Sequence, residues 1–350
     1  MDRPIYASIF VDDPPANATY WARIQQLAMG FTPSETGWGT NWRNLECAAR
    51  FRVEDVQAFA DFVDEFGIRG KFTILPCPAG HGRIDRSVRG YTDAQLKAIL
   101  DVMRSRIAPF FDITPEVLTH SMAFDPQTEA LLPHSESAWV SHLASTGQHE
   151  KLAAYIRFGY DVLHNAGFRP HGLTVGGMID CSGISKGQMV LDGTFPLTSL
   201  GETLLRVEQE YDSAIRETFL WTGSPPITQA SRERMVPDVR YSDPKKGRVF
   251  AIHGIDDPAQ VTMHGDSDVE AETDKLISPD LERGQLVQHA EAGKVLAIVL
   301  HTQTLNSRNT GHGQKMMREV CRRLRQRYGK RLVWKTSAEL CAELGVETDA

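Results

Sequence analysis

Two neighbouring carboxylates, Asp12 and Asp13, stand at the end of an apolar run, Ile5–Val11, and two prolines follow them. Side by side, two acids cannot both ionise cheaply unless a cation or a basic group shares their site. Imidazoles recur after other apolar runs: His120 closes EVLTH, His253 follows Val249–Ile252 and His301 follows Val295–Leu300. Arg169 and His171 precede the run Gly172–Val175 in FRPHG, and Asp125 follows His120 in SMAFDP. Carboxylate with imidazole suits a first-row divalent ion, and a second carboxylate left off the ion can take a proton from a water that the ion has acidified. Such chemistry requires residues far apart in the chain to meet at one opening.

The elements that would bring them together follow from periodicity. Ile5–Val11 is too short for a core helix and is closed sharply by Pro14 and Pro15, so it reads as a buried strand with both aspartates at its end. Phe51–Phe66 spaces Val53, Val56, Phe59, Ala60, Val63 and Phe66 by three and four, which makes one apolar helical face, and Gly67 ends it. Further helices are predicted over Thr92–Ile107, Glu150–Ala166 and Glu202–Arg216, and near Leu281–Ala292 and Gln314–Tyr328. Between them Lys71–Leu75, Glu116–Thr119, Gly172–Val175, Thr218–Trp221, Val249–Ile252, Val295–Leu300 and Leu332–Trp334 read as short strands.

This alternation predicts an α/β fold, a distorted (β/α)7-8 barrel of parallel strands, with a doubly wound open sheet as the alternative. Residues 1–350 read as a single domain with loop insertions near 76–112 and 222–246, and Phe31–Asn44, Leu132–Gln148 and Gly177–Ser199 read as wide loops. In a parallel barrel the strand ends collect the reacting groups. The strand ends therefore predict two carboxylates, three histidines and Arg169 facing one rim.

Composition narrows the partners. A formal charge of −7 over 350 residues gives no basic surface for nucleic acid or anionic membrane. The five cysteines, Cys47, Cys77, Cys181, Cys321 and Cys341, are scattered with no Cys-x-x-Cys pair, which excludes a cysteine zinc site and a disulfide framework. No run approaches a membrane span and no export signal opens the chain, so a cytoplasmic protein acting on a small molecule is expected. The wide loops leave room for subunit contacts, and a homo-oligomer is compatible with them.

Four short stretches, in order, resemble the polysaccharide deacetylase family (carbohydrate esterase family 4 and its relatives). FVDDPP resembles the family's opening TFDDGP, and EVLTHSMAFD, residues 116–125, is similar to its strand ending in His-Thr/Ser-x-x-His. GFRPHG resembles its Arg-Pro-Pro motif, and AIVLHTQ, residues 297–303, its late Leu-Leu-His motif. The resemblance implies a distorted barrel that hydrolyses N-acetyl or other amide bonds with one divalent metal ion, zinc foremost, with cobalt, nickel or manganese as alternatives. It implies Asp12 as general base, Asp13 and His120 as metal ligands, Arg169 as the group that holds Asp12 ionised, and His301 as the acid that protonates the leaving amine. The family's second metal histidine falls four residues after the first, where this chain has Phe124; Asp125, one residue later, is the candidate replacement.

Other roles fit the same residues. Asp125 before Pro126 also suits a turn, Arg169 a surface ion pair, and His120 a core histidine bonded to a carbonyl. His81, His171 and His253 suit structure and pocket lining equally, Cys77 reads as an inert thiol, and Trp21, Trp38 and Trp42 could stack on a sugar or close a core. Two further functions compete with the hydrolase: a metal-free barrel that binds a sugar or nitrogenous ligand, and a glycoside hydrolase. The latter needs two carboxyl groups several ångström apart, and no second acid at a strand end stands out.

Overall fold

The computed structural model describes residues 3–15, 51–175, 197–223, 226–255, 257–262, 265–307 and 309–347. Its strands, in chain order, begin with β1 (Ile5–Asp12), β2 (Gly70–Ile74), the hairpin of β3 (Gly82–Arg83) and β4 (Ser87–Val88), and β5 (Phe111–Pro115). A second hairpin pairs β6 (Met122–Asp125) with β7 (Ala130–Ser135), followed by β8 (Leu173–Thr174), β9 (Glu217–Trp221), β10 (Asp238–Asp243), β11 (Gly247–Ala251), β12 (Leu296–His301) and β13 (Leu332–Trp334).

The fold is α/β around a central parallel sheet. In one sheet the order is β12-β1-β2-β5, all parallel, with β13 also parallel to β1. A second sheet has the order β10-β11-β9-β8, parallel except for the β10–β11 pair. Two isolated parallel bridges connect them, Glu116 with Thr174 and Ile255 with Ile298.

Both faces of β1 are buried, which is why its sequence is apolar throughout instead of alternating. Ile5, Ala7, Ile9 and Val11 pack in the layer that contains Phe59, Val63 and Leu300, whereas Phe10 packs with Phe219, Phe250 and Val299. Truncating Phe10, which is fully buried, would cost about 3–5 kcal/mol. Asp12 has the parity of Phe10 and so follows it toward the inner layer. The outer layer is helical: Val53–Phe66 carries the apolar face read from the sequence and stops at Gly67, whose φ of 64° is left-handed.

Several elements differ from the sequence reading. The strand expected over Glu116–Thr119 is instead β5, Phe111–Pro115, because Pro115 ends the ladder and Val117 turns back at φ 41°. The helix expected over Glu202–Arg216 spans Leu197–Tyr211, where Leu197, Leu200, Leu204 and Leu205 supply its buried face. Leu132–Gln148 is not a loop: it holds the end of β7 and the helix Glu136–Ser145, started by the Ser135 side chain accepting from the Ala138 N–H. Within 222–246 lie the helix Gln229–Arg234 and β10, which adds the antiparallel edge. The loop Phe31–Asn44, with Trp38 and Trp42, lies outside the described residues, as do Trp21 and most of Gly177–Ser199. No described helix is long and apolar enough to cross a membrane.

Candidate active site

Asp12 ends β1 facing inward, opposite His301 at the end of β12 in the parallel register. Its Oδ1 accepts from Lys71 Nζ and, at 2.8 Å, from the Thr73 hydroxyl; its Oδ2 accepts from Trp221 Nε1 at 2.9 Å. Lys71 is fully buried on β2 and also donates to Thr73 Oγ1 at 2.8 Å and Thr174 Oγ1 at 3.0 Å. Lys71 and Thr73 share a face because side chains two apart on a strand point the same way. Burial pushes the Asp12 carboxyl up, but the Lys71 ammonium and the His301 imidazole outweigh it and hold the group below its ordinary value.

Asp13 leaves the strand with φ 78°, a left-handed conformation that Asp tolerates better than most residues, and this turns its carboxylate away from that of Asp12. Beside it, at the end of β5, the chain curls through Val117 at φ 41° and His120 at φ 53°. The curl returns His120 to Glu116: His120 Nε2 is 3.3 Å from Asp13 Oδ1 and His120 Nδ1 is 3.4 Å from Glu116 Oε1. The Asp13 N–H donates to Glu116 Oε2 at 3.1 Å.

The curl has its own anchor. The buried Glu136 carboxylate accepts from the backbone N–H groups of Leu118, Thr119 and His120 at 2.9, 2.9 and 2.6 Å, and from the Tyr155 hydroxyl at 2.7 Å. Gly159 lies underneath; a Cβ there would come within 2.9 Å of the Val117 carbonyl oxygen.

Donor atoms of Asp13, Glu116 and His120 all lie within 4.8 Å of one another. Asp13 is fully buried and neither of its oxygens accepts a hydrogen bond from the described residues. A buried carboxylate with no hydrogen bond and only the His120 imidazole at 3.3 Å is costly, by several kcal/mol, so a cation suits the cluster. Burial pushes Glu116 up to about 8, with Asp13 and Asp12 adding to it, whereas burial lowers His120 but Glu116 and Asp13 outweigh it and raise the imidazole.

Across from the cluster, His301 Nδ1 is 2.8 Å from Asp257 Oδ2, which also accepts from the Thr304 hydroxyl at 2.8 Å. Burial lowers the His301 imidazole, but Asp257, Asp13 and Asp12 outweigh that and raise it to about 10, which favours the protonated form. With Nδ1 committed to Asp257, Nε2–H is the proton available to a ligand.

Of the residues chosen from sequence, Asp12, Asp13, His120 and His301 therefore share one rim. Arg169 does not join them: it is exposed and makes no hydrogen bond or ion pair with Asp12, and Lys71 occupies the position expected of it. Asp125 does not reach the cluster either. Its Oδ1 accepts from the Gln127 N–H at 2.9 Å and its Oδ2 from the Thr128 hydroxyl at 2.7 Å, the turn role that Asp before Pro126 also suited. Phe124 is core, 5.7 Å ring to ring from Phe158. His171 lies 3.4 Å from Glu208 and His253 3.1 Å from Asp238, and neither belongs to the cluster. Burial pushes the Cys77 thiol up, leaving it inert as expected.

Sequence reasoning missed Lys71, Glu116, Glu136 and Asp257. Glu116 was signalled by its spacing, four residues before His120, and Lys71 by its place beside Thr73 on a run already assigned to a buried strand. Glu116 and Asp257 are also the acids near strand ends that seemed to be lacking.

No family profile matches the chain and no curated protein matches it. A solved structure does match. The chain is similar over its full length to 94% of a "putative polysaccharide deacetylase" from Mycobacterium smegmatis, with a TM-score of 0.50 and 13% identity. The likeness is one of fold alone.

Proposed function

We propose that this chain is a metal-dependent hydrolase of C–N bonds, with an N-acetyl or other non-peptide amide of a small or carbohydrate-like molecule as substrate. In this reading β1, β2, β5, β8, β9, β11 and β12 close through the two bridges into a distorted seven-stranded barrel of one domain. The observation that carries it is the buried carboxylate of Asp13, which accepts no hydrogen bond from the described residues and faces Glu116 and His120.

Asp13, Glu116 and His120 would hold one divalent ion, zinc foremost, with cobalt, nickel and manganese as alternatives. When bound, the ion supplies a Lewis acid for the amide carbonyl and acidifies water. Asp12 is the general base. Lys71 and Thr73 fill its Oδ1 and keep it ionised, and Trp221 fixes Oδ2, whose remaining lone pair takes the proton of the attacking water. His301 is the general acid: Asp257 holds its Nδ1, and Nε2–H passes to the departing amine nitrogen as the C–N bond breaks. Asp12 and His301, paired across β1 and β12, thus begin with opposite protonation states, which the two half-reactions require.

Metal analysis and acetate release test the proposal. Purified protein should carry about one ion per chain, lost in Asp13→Ala and in Glu116→Ala. Release of acetate from N-acetylglucosamine oligomers or simple N-acetyl amides should fall by about 10²-fold or more in Asp12→Asn and His301→Gln. Protein that purifies without metal and turns over unchanged in chelator would overturn it.

A further inference from the structure

At the opposite ends of β1 and β12 from the candidate site lies a cavity of about 340 Å³. β1 enters it at Ile5 and Tyr6 and ends at Asp12; β12 begins beside Val295 and ends at His301. At about 3.3 Å per residue, cavity and candidate site are roughly 20 Å apart along the same strands.

Its apolar wall includes Ile5, Val236 and Val295, and four cations surround it: Arg3, Arg234, Lys294 and Arg331. Arg234 and Lys294 are half-buried. Among the described residues none of the four is ion-paired. Arg331 Nε donates to the Arg3 carbonyl at 3.2 Å, and Arg3 Nη2 lies 3.5 Å from the Gly293 carbonyl. Glu291, the acid in the lining, is bonded to Arg327 Nη2 at 2.8 Å. In a chain of net charge −7, four cations around one hollow, none ion-paired among the described residues, oppose the charge balance of the whole.

We infer that this cavity binds a phosphomonoester, its phosphate held by the cations and its organic body against the apolar wall. A carboxylate is satisfied by one guanidinium fork, whereas a phosphate dianion presents more oxygens and charge and draws several. The volume suits a small ligand of that kind. The inference is independent of the proposed hydrolysis.

Titration calorimetry with inorganic phosphate, phenyl phosphate and benzoate, at an ionic strength fixed with sodium chloride, tests it. Phenyl phosphate should bind saturably, and about tenfold tighter than either inorganic phosphate or benzoate. Arg234→Gln combined with Lys294→Gln should weaken it about tenfold or more, and Arg331→Gln, at an exposed side chain, should weaken it several-fold even if the double variant does not fold. Asp13→Ala should bind as wild type does, which separates this cavity from the candidate metal cluster. Heat indistinguishable from that of salt, unchanged affinity in the variants, or loss of binding in Asp13→Ala would each overturn the inference.

Discussion

Glu116 and His120 face each other at 3.4 Å, Oε1 to Nδ1, although the ladder of β5 has already ended before them. The left-handed backbone at Val117 and His120 makes this possible, and the Glu136 carboxylate keeps the curl in place by gathering its N–H groups. Glu116 stands four residues before His120, whereas the position four residues after it is Phe124.

The two positions should respond differently to substitution. Glu116→Ala is expected to lower zinc affinity about tenfold or more by removing one donor, and to cost about 1–3 kcal/mol of stability because the buried Asp13 N–H loses its acceptor. Phe124→His should leave affinity unchanged and destabilise by about 2–4 kcal/mol, since it puts an imidazole where Phe124 packs on Phe158. Competition against a chromophoric chelator gives the first quantity and urea unfolding the second.

Lys71 and Arg169 can be separated in the same way. Lys71→Met leaves Asp12 buried without its cation, and breaking a buried pair by removing one partner costs about 3–5 kcal/mol. Adding Asp12→Asn to Lys71→Met should return part of that loss, because the uncompensated charge is gone. Arg169→Gln, at an exposed residue, should stay within about 0.5 kcal/mol. Equal effects at the two positions would show that the cation at Asp12 has been misassigned.

Glu136→Ala would strip an acceptor from three backbone N–H groups and the Tyr155 hydroxyl at once. A loss of about 3 kcal/mol or more is expected. Apo and zinc-loaded protein should then melt at nearly the same temperature, because the curl no longer presents Glu116 and His120 together. Retained zinc stabilisation would mean that the cluster does not depend on this anchor.

Away from the candidate site, burial pushes the His171 imidazole down, but Glu208 outweighs it and raises it to about 9. A folded-state value above the ordinary 6.5 adds stability that is complete below that value and is lost as pH rises through about 9. The separation corresponds to at most about 3 kcal/mol. The unfolding midpoints of wild type and His171→Gln should therefore differ most near about pH 6 and converge toward about pH 10. A constant difference across that range would place the effect in packing against Phe219, which the ring meets edge-on, and not in charge.

What the sequence determined by itself was whatever short-range periodicity controls. The strand Ile5–Asp12, the helix Val53–Phe66 with Gly67 after it, and the run that ends in His301 are local patterns of burial and backbone freedom, so one window of residues suffices to read them. Asp12, Asp13, His120 and His301 were legible for the same reason: they are polar groups that interrupt apolar runs. Partnership was decided only in three dimensions. Lys71 meets Asp12 because neighbouring strands turn the same face inward, Asp257 meets His301 across a loop, and Glu116 meets His120 through a left-handed curl held by Glu136. Such contacts depend on register between distant segments and on single backbone angles, which composition and spacing along one strand do not encode.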